Sequence, residues 1–304
     1  MTAPPDRSRV PTEGVHPRST GLDALSTADL LRLMSAEDER AVLAARAQAE
    51  QIAELVELIV PRFRAGGRLV YVGAGTSGRL GVLDASECPP TFLVDPSRVV
   101  GIIAGGDAAL RRSSESLEDD PNGARPELEH LRLGELDTLI GLAAGGTTPY
   151  PLGALRIART HGALTALVTC GDPPEGHAAD VVIRLETGPE ILAGSTRLKA
   201  GTATKLVLNM ISTGLMVRLG KVHDGLMVDV SATNDKLLDR AARIVVGLVG
   251  GTREDAFGLL DEAGGRVKTA VVMRSLEVSR RDAEALLERT EGSLRAALER
   301  GASC

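Results

Sequence analysis

The chain has 304 residues, of which 34 are glycine and only 2% are aromatic, and its formal net charge is −6. The acidic balance argues against nucleic acid or an anionic membrane as a partner of the whole chain. A protein that stacks single-stranded bases would need more exposed aromatic side chains than this chain has. The hydrophobic content of 43% and the charged content of 25% are those of a globular protein, which excludes a disordered or collagen-like chain.

The N-terminal residues and the cysteines predict the compartment in which the protein works. Residues 1–20 contain four prolines and no apolar run, so we expect a flexible N-terminal arm and no signal peptide. No apolar run reaches ~18 residues, so we predict no membrane span. The three cysteines, Cys88, Cys170 and Cys304, have neither disulfide nor zinc-ligand spacing, which favours a reducing cytoplasm.

The first predicted elements are helices. Ser26 followed by Asp29, and Ser35 followed by Asp38, have the spacing of helix N-caps. We therefore predict two helices, the second of which runs to about Arg64.

Beyond these helices, short apolar runs alternate with helical stretches. This alternation predicts an α/β fold in which helices cover both faces of a five-stranded parallel sheet. Two longer helices should follow, at about 197–219 and 234–249. The predicted strands are residues 68–73, 99–105, 138–144, 163–169 and 181–185.

The C-terminal part contains a weak internal repeat. The segments that begin at Thr252 and Ser279 share a Ser/Thr-x-x-Asp cap, a Leu-Leu pair, a following glycine and a second short helix, although any two capped amphipathic helices have similar features. Gly250-Gly251 precedes the first copy. We predict three regions: a flexible arm at 1–20, a sheet domain with N-terminal helices at 21–249, and a small helical domain at 250–304.

Two glycine loops are candidates for binding a phosphate. The first strand is followed by Gly73-Ala-Gly-Thr-Ser-Gly78, which can hold either a dinucleotide, with Asp95 on the ribose, or one phosphate, with Thr76 and Ser77 as donors. The third strand is followed by a second such loop, Gly145-Gly-Thr-Thr-Pro149. Two loops can hold one phosphate from both sides, and a dinucleotide site needs no second Thr-Thr loop. We therefore favour a sugar phosphate.

Two acidic groups are candidates for acid–base chemistry. Because a proline disfavours helical conformation in the preceding residue, Cys88-Pro-Pro90 should place Glu87 near a helix end, beside the ligand. Glu115, Glu118 and Asp119 share part of one face of a predicted helix. Each group could equally be a solvated acidic surface.

The polar segment from Gly188 to Lys199 is a further candidate for binding. It is rich in glycine and leads into a helix N-terminus, where anions bind readily. The histidines have no metal-ligand spacing, so we predict neither a metal nor a cofactor. Asn209 to Thr213 is interpreted as packing. The candidate binding residues of the segment are Glu190, Ser195, Arg197 and Lys199.

Four motifs identify the chain more specifically. They are Gly73-Ala-Gly-Thr-Ser-Gly-Arg79; Asp84-Ala-Ser-Glu-Cys-Pro-Pro-Thr91; Gly188-Pro-Glu190 with Gly194-Ser-Thr-Arg-Leu-Lys-Ala-Gly-Thr202; and Leu226-Met-Val-Asp229 with Ala232-Thr-Asn-Asp-Lys-Leu237. Together, and in this order, they resemble the motifs of the N-acetylmuramic acid 6-phosphate etherases. The resemblance extends from about Thr12 to the C-terminus.

The resemblance implies a sugar isomerase (SIS) domain of flavodoxin-like architecture, a small helical C-terminal domain, and a cytoplasmic homodimer without a nucleic acid or membrane partner. The implied activity is that of a carbon–oxygen lyase in cell-wall sugar recycling, which converts N-acetylmuramate 6-phosphate into N-acetylglucosamine 6-phosphate and D-lactate. Glu87 would be the proton donor and Glu118 the base. The implied or candidate ligands of the substrate in the two loops are Gly75, Thr76, Ser77, Gly146, Thr147 and Thr148.

The chain departs from the family pattern in the second loop. The family usually has Ala-Ser-Gly-Arg-Thr-Pro, whereas this chain has Ala144-Gly-Gly-Thr-Thr-Pro149 and therefore lacks a serine hydroxyl and an arginine. Backbone N–H groups and Thr147 could compensate. Two alternatives stay open: a non-catalytic regulator that binds a sugar phosphate, and a sugar-phosphate isomerase on the same fold.

Overall fold

The computed structural model describes residues 10–112, 117–229 and 235–302. They divide into two compact units, which are described separately. The sheet unit consists of the described residues up to Ser86 together with Ser97–Ser212. The helical unit consists of Glu87–Pro96 together with the described residues from Thr213 onward.

The secondary-structure elements are named in chain order. Those that begin in the sheet unit are α1 (Thr27–Ala47), α2 (Ala49–Arg64), β1 (Leu69–Gly73), α3 (Gly75–Phe92), β2 (Val99–Ile103), α4 (Ala108–Arg111), α5 (Arg125–Leu131), β3 (Thr138–Leu142), α6 (Pro149–Thr160), β4 (Leu164–Thr169), β5 (Val181–Arg184) and α7 (Lys199–Arg218). Those that begin in the helical unit are β6 (Val222–His223), β7 (Leu226–Met227), α8 (Asp235–Val249), α9 (Arg253–Glu262), α10 (Val267–Leu276), α11 (Arg280–Arg289) and α12 (Leu294–Gly301).

The predicted five-stranded parallel sheet is confirmed. Its order is β2-β1-β3-β4-β5, and every neighbouring pair is parallel. All residues of β1, β3 and β4 are buried, as expected for strands covered on both faces. Both tyrosines of the chain are buried in this unit, Tyr71 on β1 and Tyr150 on α6.

The N-terminal segment differs from the predicted flexible arm where the structure describes it. Residues 1–9 lie outside the described residues, but Val10–Thr20 packs against the sheet unit. Thr12 is fully buried, and its carbonyl accepts a hydrogen bond from the Gly194 N–H at 3.0 Å. His16 is also buried, with its Nε2 3.0 Å from an oxygen of Glu37. These contacts are made with residues distant in sequence, so the proline-rich composition of the segment could not predict them.

The helix N-cap at Ser26 is confirmed, but the predicted helix start at Ser35 is wrong. The Ser26 hydroxyl accepts from the Asp29 N–H at 3.2 Å. Ser35 instead lies inside α1, which continues to Ala47 and breaks at Gln48 before α2 begins. The Ser-x-x-Asp spacing therefore occurs once at a helix N-cap and once inside a helix.

The internal repeat is visible in the helical unit as two helix pairs, α9–α10 and α11–α12. Thr252 and Asp255 form a reciprocal capping box at the start of α9, and Ser279 caps α11. Helix α8 contributes buried residues to the same apolar cluster as these four helices. The unit therefore begins before Gly250, and α8 does not belong with the sheet as the sequence-based boundary had it.

A buried lysine ties the loops of the helical unit together. The Lys268 ammonium donates to Asp229 Oδ2 and to the Gly292 carbonyl, both at 2.7 Å, and Lys221 lies 3.0 Å from the same aspartate. Burial lowers the pKa of Lys268. In the part of the chain that the structure describes, no helix combines the length and the apolar character needed to cross a membrane.

Candidate active site

The two glycine loops lie side by side at the point where the strand order reverses. β1 and β3 are neighbours in the sheet, although β1 is followed in the chain by β2 on its other side. In their register Gly73 pairs with Leu142, so the residues that follow each strand emerge next to each other. Ligands of open α/β sheets bind outside the carboxyl ends of the strands at such a reversal. The predicted convergence of the loops has its structural basis here.

The first loop is tight because its glycines are in close contact. A Cβ at Gly73 would lie 2.8 Å from the Gly78 nitrogen, and Gly75 has a φ of +53°, which favours glycine. Gly75 begins α3, so half-buried Thr76 and Ser77 lie in its first turn. Backbone N–H groups of a first helical turn have no partner within the helix and are suited to bind a phosphate.

The second loop connects β3 to α6. Gly146 has a φ of +78°, and a Cβ there would lie 2.8 Å from the carbonyl oxygen of Asp172. Thr147 and Thr148 are half-buried, and Thr148 precedes α6 without using its side chain as a cap. Its hydroxyl is therefore not committed to the helix N-terminus.

Glu118 is positioned beside this second loop. Its backbone carbonyl accepts a hydrogen bond from the Tyr150 N–H, in the first turn of α6, at 3.0 Å. The following chain packs closely on α6, because a Cβ at Gly153 would lie 1.7 Å from the Pro121 oxygen. Glu118 is half-buried. Its hydrogen-bond partner Tyr150 comes two residues after Thr148 in the chain, so Glu118 lies close to the end of the second loop.

The predicted acidic helix does not include Glu118 or Asp119. The helix after β2 ends at Arg111, the Asp107 side chain makes no capping bond, and Glu118 and Asp119 lie in a turn. Glu115 lies outside the described residues. The conformation at Glu118 is therefore explained by packing against α6 and not by the i,i+4 spacing of the acidic residues.

Glu87 lies exposed on α3, and here the sequence reasoning failed in one respect. The helix does not end near Cys88 but continues through Pro89 and Pro90 to Phe92. Glu87 is twelve residues from Gly75 along one continuous helix, which corresponds to about 18 Å of helix axis. Asp95, considered for a dinucleotide ribose, precedes β2 instead of following a strand, which removes the basis of that interpretation.

Two of the four candidate residues between Gly188 and Lys199 are engaged in buried contacts. Glu190 caps α7, since its two oxygens accept from the Lys199 and Ala200 N–H groups at 3.0 and 2.9 Å. Burial raises the pKa of Glu190, and these two hydrogen bonds oppose that rise. We therefore assign Glu190 a positioning role. Ser195 is half-buried and Arg197 is exposed, so these two remain available to a ligand.

Lys199 is also committed inside the protein. Its ammonium lies 2.8 Å from Glu37 Oε2, and Glu37 additionally pairs with His16 and Arg18. Burial by itself would raise the pKa of Glu37, but the hydrogen bonds from Lys199 and Arg18 and the charge of Lys199 outweigh it and lower that pKa to about 2. Glu37 thus connects the N-terminal segment to α7, a role that the sequence analysis missed.

Asp84 is a second functional-site neighbour that sequence reasoning missed. Its buried carboxylate accepts from the Tyr71 hydroxyl and the Asn209 amide at 3.0 Å, and from the Ser212 hydroxyl at 3.1 Å. Burial raises the pKa of Asp84. Asp84 thus fixes α3, which carries Thr76 and Ser77, against β1 and α7. The interpretation of Asn209 to Thr213 as packing omitted these polar contacts.

Comparison with known proteins identifies the family. A protein from Gloeobacter violaceus named N-acetylmuramic acid 6-phosphate etherase is 52% identical over 299 residues, which cover 97% of each chain. A protein of the same name from Caldanaerobacter subterraneus is 50% identical over 95% of this chain and 94% of its own. The chain belongs to the N-acetylmuramic acid 6-phosphate etherase family.

Two further similarities accompany this family assignment. The profile described as the glucokinase regulatory protein N-terminal SIS domain matches residues 51–159 of this etherase family member. The structure of a phosphoheptose isomerase from Francisella tularensis is 16% identical and covers 64% of this chain and 100% of its own, with a TM-score of 0.47.

Proposed function

We propose that the protein cleaves the D-lactyl ether of N-acetylmuramic acid 6-phosphate, giving N-acetylglucosamine 6-phosphate and D-lactate. Membership of the etherase family supports this reaction. The observation that carries the proposal is that two hydroxyl-bearing glycine loops emerge from adjacent parallel strands, with Glu118 bonded to the helix that the second loop opens. Such a site suits a phosphorylated sugar that must be held next to an acid–base group.

The proposed chemistry needs two carboxyl groups in opposite protonation states. In the open-chain sugar, the C1 aldehyde acidifies the proton at C2. Glu118 removes this proton, and Glu87 donates a proton to the C3 ether oxygen as lactate leaves. Water then adds at C3 of the unsaturated aldehyde. One acid and one base with separated pKa values are the usual requirement of such a step. Both roles follow the family resemblance.

The phosphate ligands are proposed from the two loops. Thr76, Ser77 and Thr148 would donate their hydroxyls, and the N–H groups of Gly75 and Thr147 would add to them. Gly146 would shape the loop through its positive φ, since its N–H donates to the Ala143 carbonyl at 2.9 Å. Ser195 and Arg197 are further candidates, because of the four candidate residues in their segment these two are not buried. Apart from Arg197, this set consists of backbone and hydroxyl donors, which are groups that commonly bind phosphate.

We also propose that the enzyme is a cytoplasmic homodimer whose partner subunit supplies Glu87. In N-acetylmuramic acid 6-phosphate, the C3 ether oxygen that Glu87 protonates lies much closer to the phosphorus than the ~18 Å of helix between Gly75 and Glu87. A phosphate at the start of α3 would therefore be served by the Glu87 of a second copy. A two-fold arrangement would place both copies of the site equivalently.

The function is tested by measuring D-lactate release from N-acetylmuramic acid 6-phosphate. Glu118→Gln should lower the rate by ~10²-fold or more, because proton transfer by a positioned side chain contributes about that much. Glu129→Gln, on exposed α5, is the matched control and should keep the wild-type rate. A wild-type protein that binds the sugar phosphate without releasing lactate would instead support a regulator, and a ketose product would support an isomerase.

Mixing subunits tests the shared site. Glu87→Gln and Glu118→Gln proteins should each be inactive, but a heterodimer would combine an intact Glu118 and an intact Glu87 in one of its two sites. Random exchange should then restore about a quarter of the wild-type rate. If both acids act from the same subunit, mixing restores nothing, and the shared-site proposal is refuted.

A further inference from the structure

The hydroxyl of Thr12 is buried without a hydrogen-bond partner. Thr12 has no solvent exposure, and its Oγ1 finds no donor or acceptor in the part of the chain that the structure describes. Buried hydroxyl groups are nearly always satisfied in native proteins, since an unpaired one costs free energy. A buried hydroxyl without a partner close to a candidate binding site suggests that a bound ligand is its hydrogen-bond partner.

The segment that carries Thr12 is held firmly in place by other contacts. The Glu13 N–H donates to the Val10 carbonyl at 2.9 Å, and the Gly194 N–H donates to the Thr12 carbonyl at 3.0 Å. Further along, His16 contacts the Glu37 carboxylate at 3.0 Å. These contacts fix the position of Thr12, so its hydroxyl lacks a partner in a well-packed part of the chain.

The orphan hydroxyl faces the second glycine loop. A Cβ placed on Gly145 would lie 3.9 Å from Thr12 Oγ1 and equally 3.9 Å from Thr147 Oγ1. Gly145 itself has no side chain, so the two threonine hydroxyls border the same side of the loop, together with Val10 Cγ1 at 3.6 Å from the same point. Two hydroxyl donors beside backbone N–H groups are a chemistry that suits a phosphate oxygen.

We propose that Thr12 is a phosphate-binding residue, whose hydroxyl donates to an oxygen of the 6-phosphate held in the second glycine loop. This inference rests on the proposed function, of which it names one more substrate contact. Because Thr12 has no solvent exposure, the oxygen reaches it only when the Gly145–Gly146 backbone shifts to receive the phosphate. Two consecutive glycines give this backbone the necessary freedom.

The inference makes affinity and stability change in opposite directions. Thr12→Val keeps the shape of the side chain and removes the unsatisfied hydroxyl, so the melting temperature should rise. The KM for the sugar phosphate and the Kd for inorganic phosphate should each rise about tenfold, with kcat changed little, because one hydrogen bond to a charged group is lost. Thr12→Ser, which retains a hydroxyl, should restore both constants to within about twofold of the wild type.

Thr138 provides the matched control. It is equally buried and its Oγ1 also lacks a partner, but it begins β3 and so lies at the opposite end of that strand from the glycine loop. Thr138→Val should not change KM or phosphate binding. The proposal is overturned if Thr12→Val keeps both constants within twofold of the wild type, or if Thr138→Val changes them as much. If Thr12→Val does not fold, Thr12→Ala is read in the same way.

The phosphate measurement separates this inference from the proposed function. If the wild type releases no lactate but binds inorganic phosphate, the proposed reaction fails, and the comparison of Thr12→Val with Thr138→Val still decides the role of Thr12. If lactate release is normal and phosphate affinity does not depend on Thr12, the reaction stands and the inference about Thr12 fails.

Discussion

The space around Gly145 makes a serine at this position the most informative single substitution. A Cβ there would find Val10 Cγ1 at 3.6 Å and the Thr12 and Thr147 hydroxyl oxygens at 3.9 Å, all ordinary van der Waals distances. Its φ lies outside the left-handed region, so a side chain meets no backbone strain. A serine hydroxyl at this Cβ would come within hydrogen-bond reach of the orphan Thr12 Oγ1. We predict that Gly145→Ser stabilises the protein.

Two effects add to the magnitude. A new hydrogen bond to a buried hydroxyl contributes about 0.5–1.5 kcal/mol net. Replacing a glycine that needs no positive φ contributes roughly 0.4–1 kcal/mol by restricting the unfolded chain. Gly145→Ser should therefore gain about 1–2 kcal/mol, and each kcal/mol raises the melting temperature of a chain of this size by roughly 2–4 °C.

Gly146→Ser is the control in the same loop. A Cβ at Gly146 would lie 2.8 Å from the Asp172 carbonyl oxygen, and its φ of +78° is unfavourable for any other residue. This variant should lose about 2 kcal/mol or more, because strain and a clash with backbone combine. The two substitutions differ by one position and should change stability in opposite directions.

Urea unfolding followed by circular dichroism measures both variants, together with Thr12→Val in the wild-type and Gly145→Ser backgrounds. In the wild type, Thr12→Val removes a buried hydroxyl that has no partner, so it should stabilise the protein. In the Gly145→Ser background the same substitution removes a hydrogen bond, so it should destabilise the protein. The coupling free energy should be about 0.5–1.5 kcal/mol. If Gly145→Ser costs more than about 1 kcal/mol, or if the two substitutions are additive, the placement of the Thr12 hydroxyl next to Gly145 is refuted.

Three further substitutions test the buried polar contacts. The pKa of Glu37 lies at about 2, below the 4.5 of an unperturbed glutamate, so its contribution is complete above pH 4.5 and is lost as the pH falls towards 2. Urea unfolding at pH 7 and pH 3 should thus show a loss in the wild type of about 2 kcal/mol that Glu37→Gln lacks, since at pH 3 the folded protein still keeps most of this carboxyl ionised. Asp84→Leu should cost about 3 kcal/mol by leaving three donors without their acceptor, and an unchanged urea midpoint would contradict this. Lys268→Met should lower the free energy of unfolding by about 2 kcal/mol or more, since the Gly292 carbonyl and Asp229 both lose the ammonium that donates to them. A calorimetric melting temperature equal to that of the wild type would argue against it.

The sheet could be predicted from the sequence because its strands are short apolar runs with clear ends. Each observed strand lies within the predicted run, and each ends one or two residues earlier or at the same residue. The two glycine loops follow directly from those strand ends. Buried parallel strands need no partner information to be recognised, since both of their faces are apolar.

What failed depended on contacts between residues that are distant in sequence. The i,i+4 spacing of the acidic residues suggested a helix, but packing of the Pro121 region on α6 places Glu118 in a turn. Glu190 and Lys199 were candidates because their polar, glycine-rich segment leads into a helix N-terminus, yet Glu190 caps that helix and Lys199 pairs with Glu37. A motif indicates which residues matter, whereas only the fold distinguishes a ligand from a positioning group.

The positions of the two tyrosines give the protein a built-in spectroscopic reporter. The chain contains no tryptophan, and Tyr71 and Tyr150, its only tyrosines, are both buried in the sheet unit. Tyrosine emission therefore follows loss of packing in that unit alone, while the helical amide signal follows both. Coincident transitions would mean that the units melt together, and a tyrosine transition displaced from the amide one would mean that they melt in sequence. Neither experiment needs a label or a substitution.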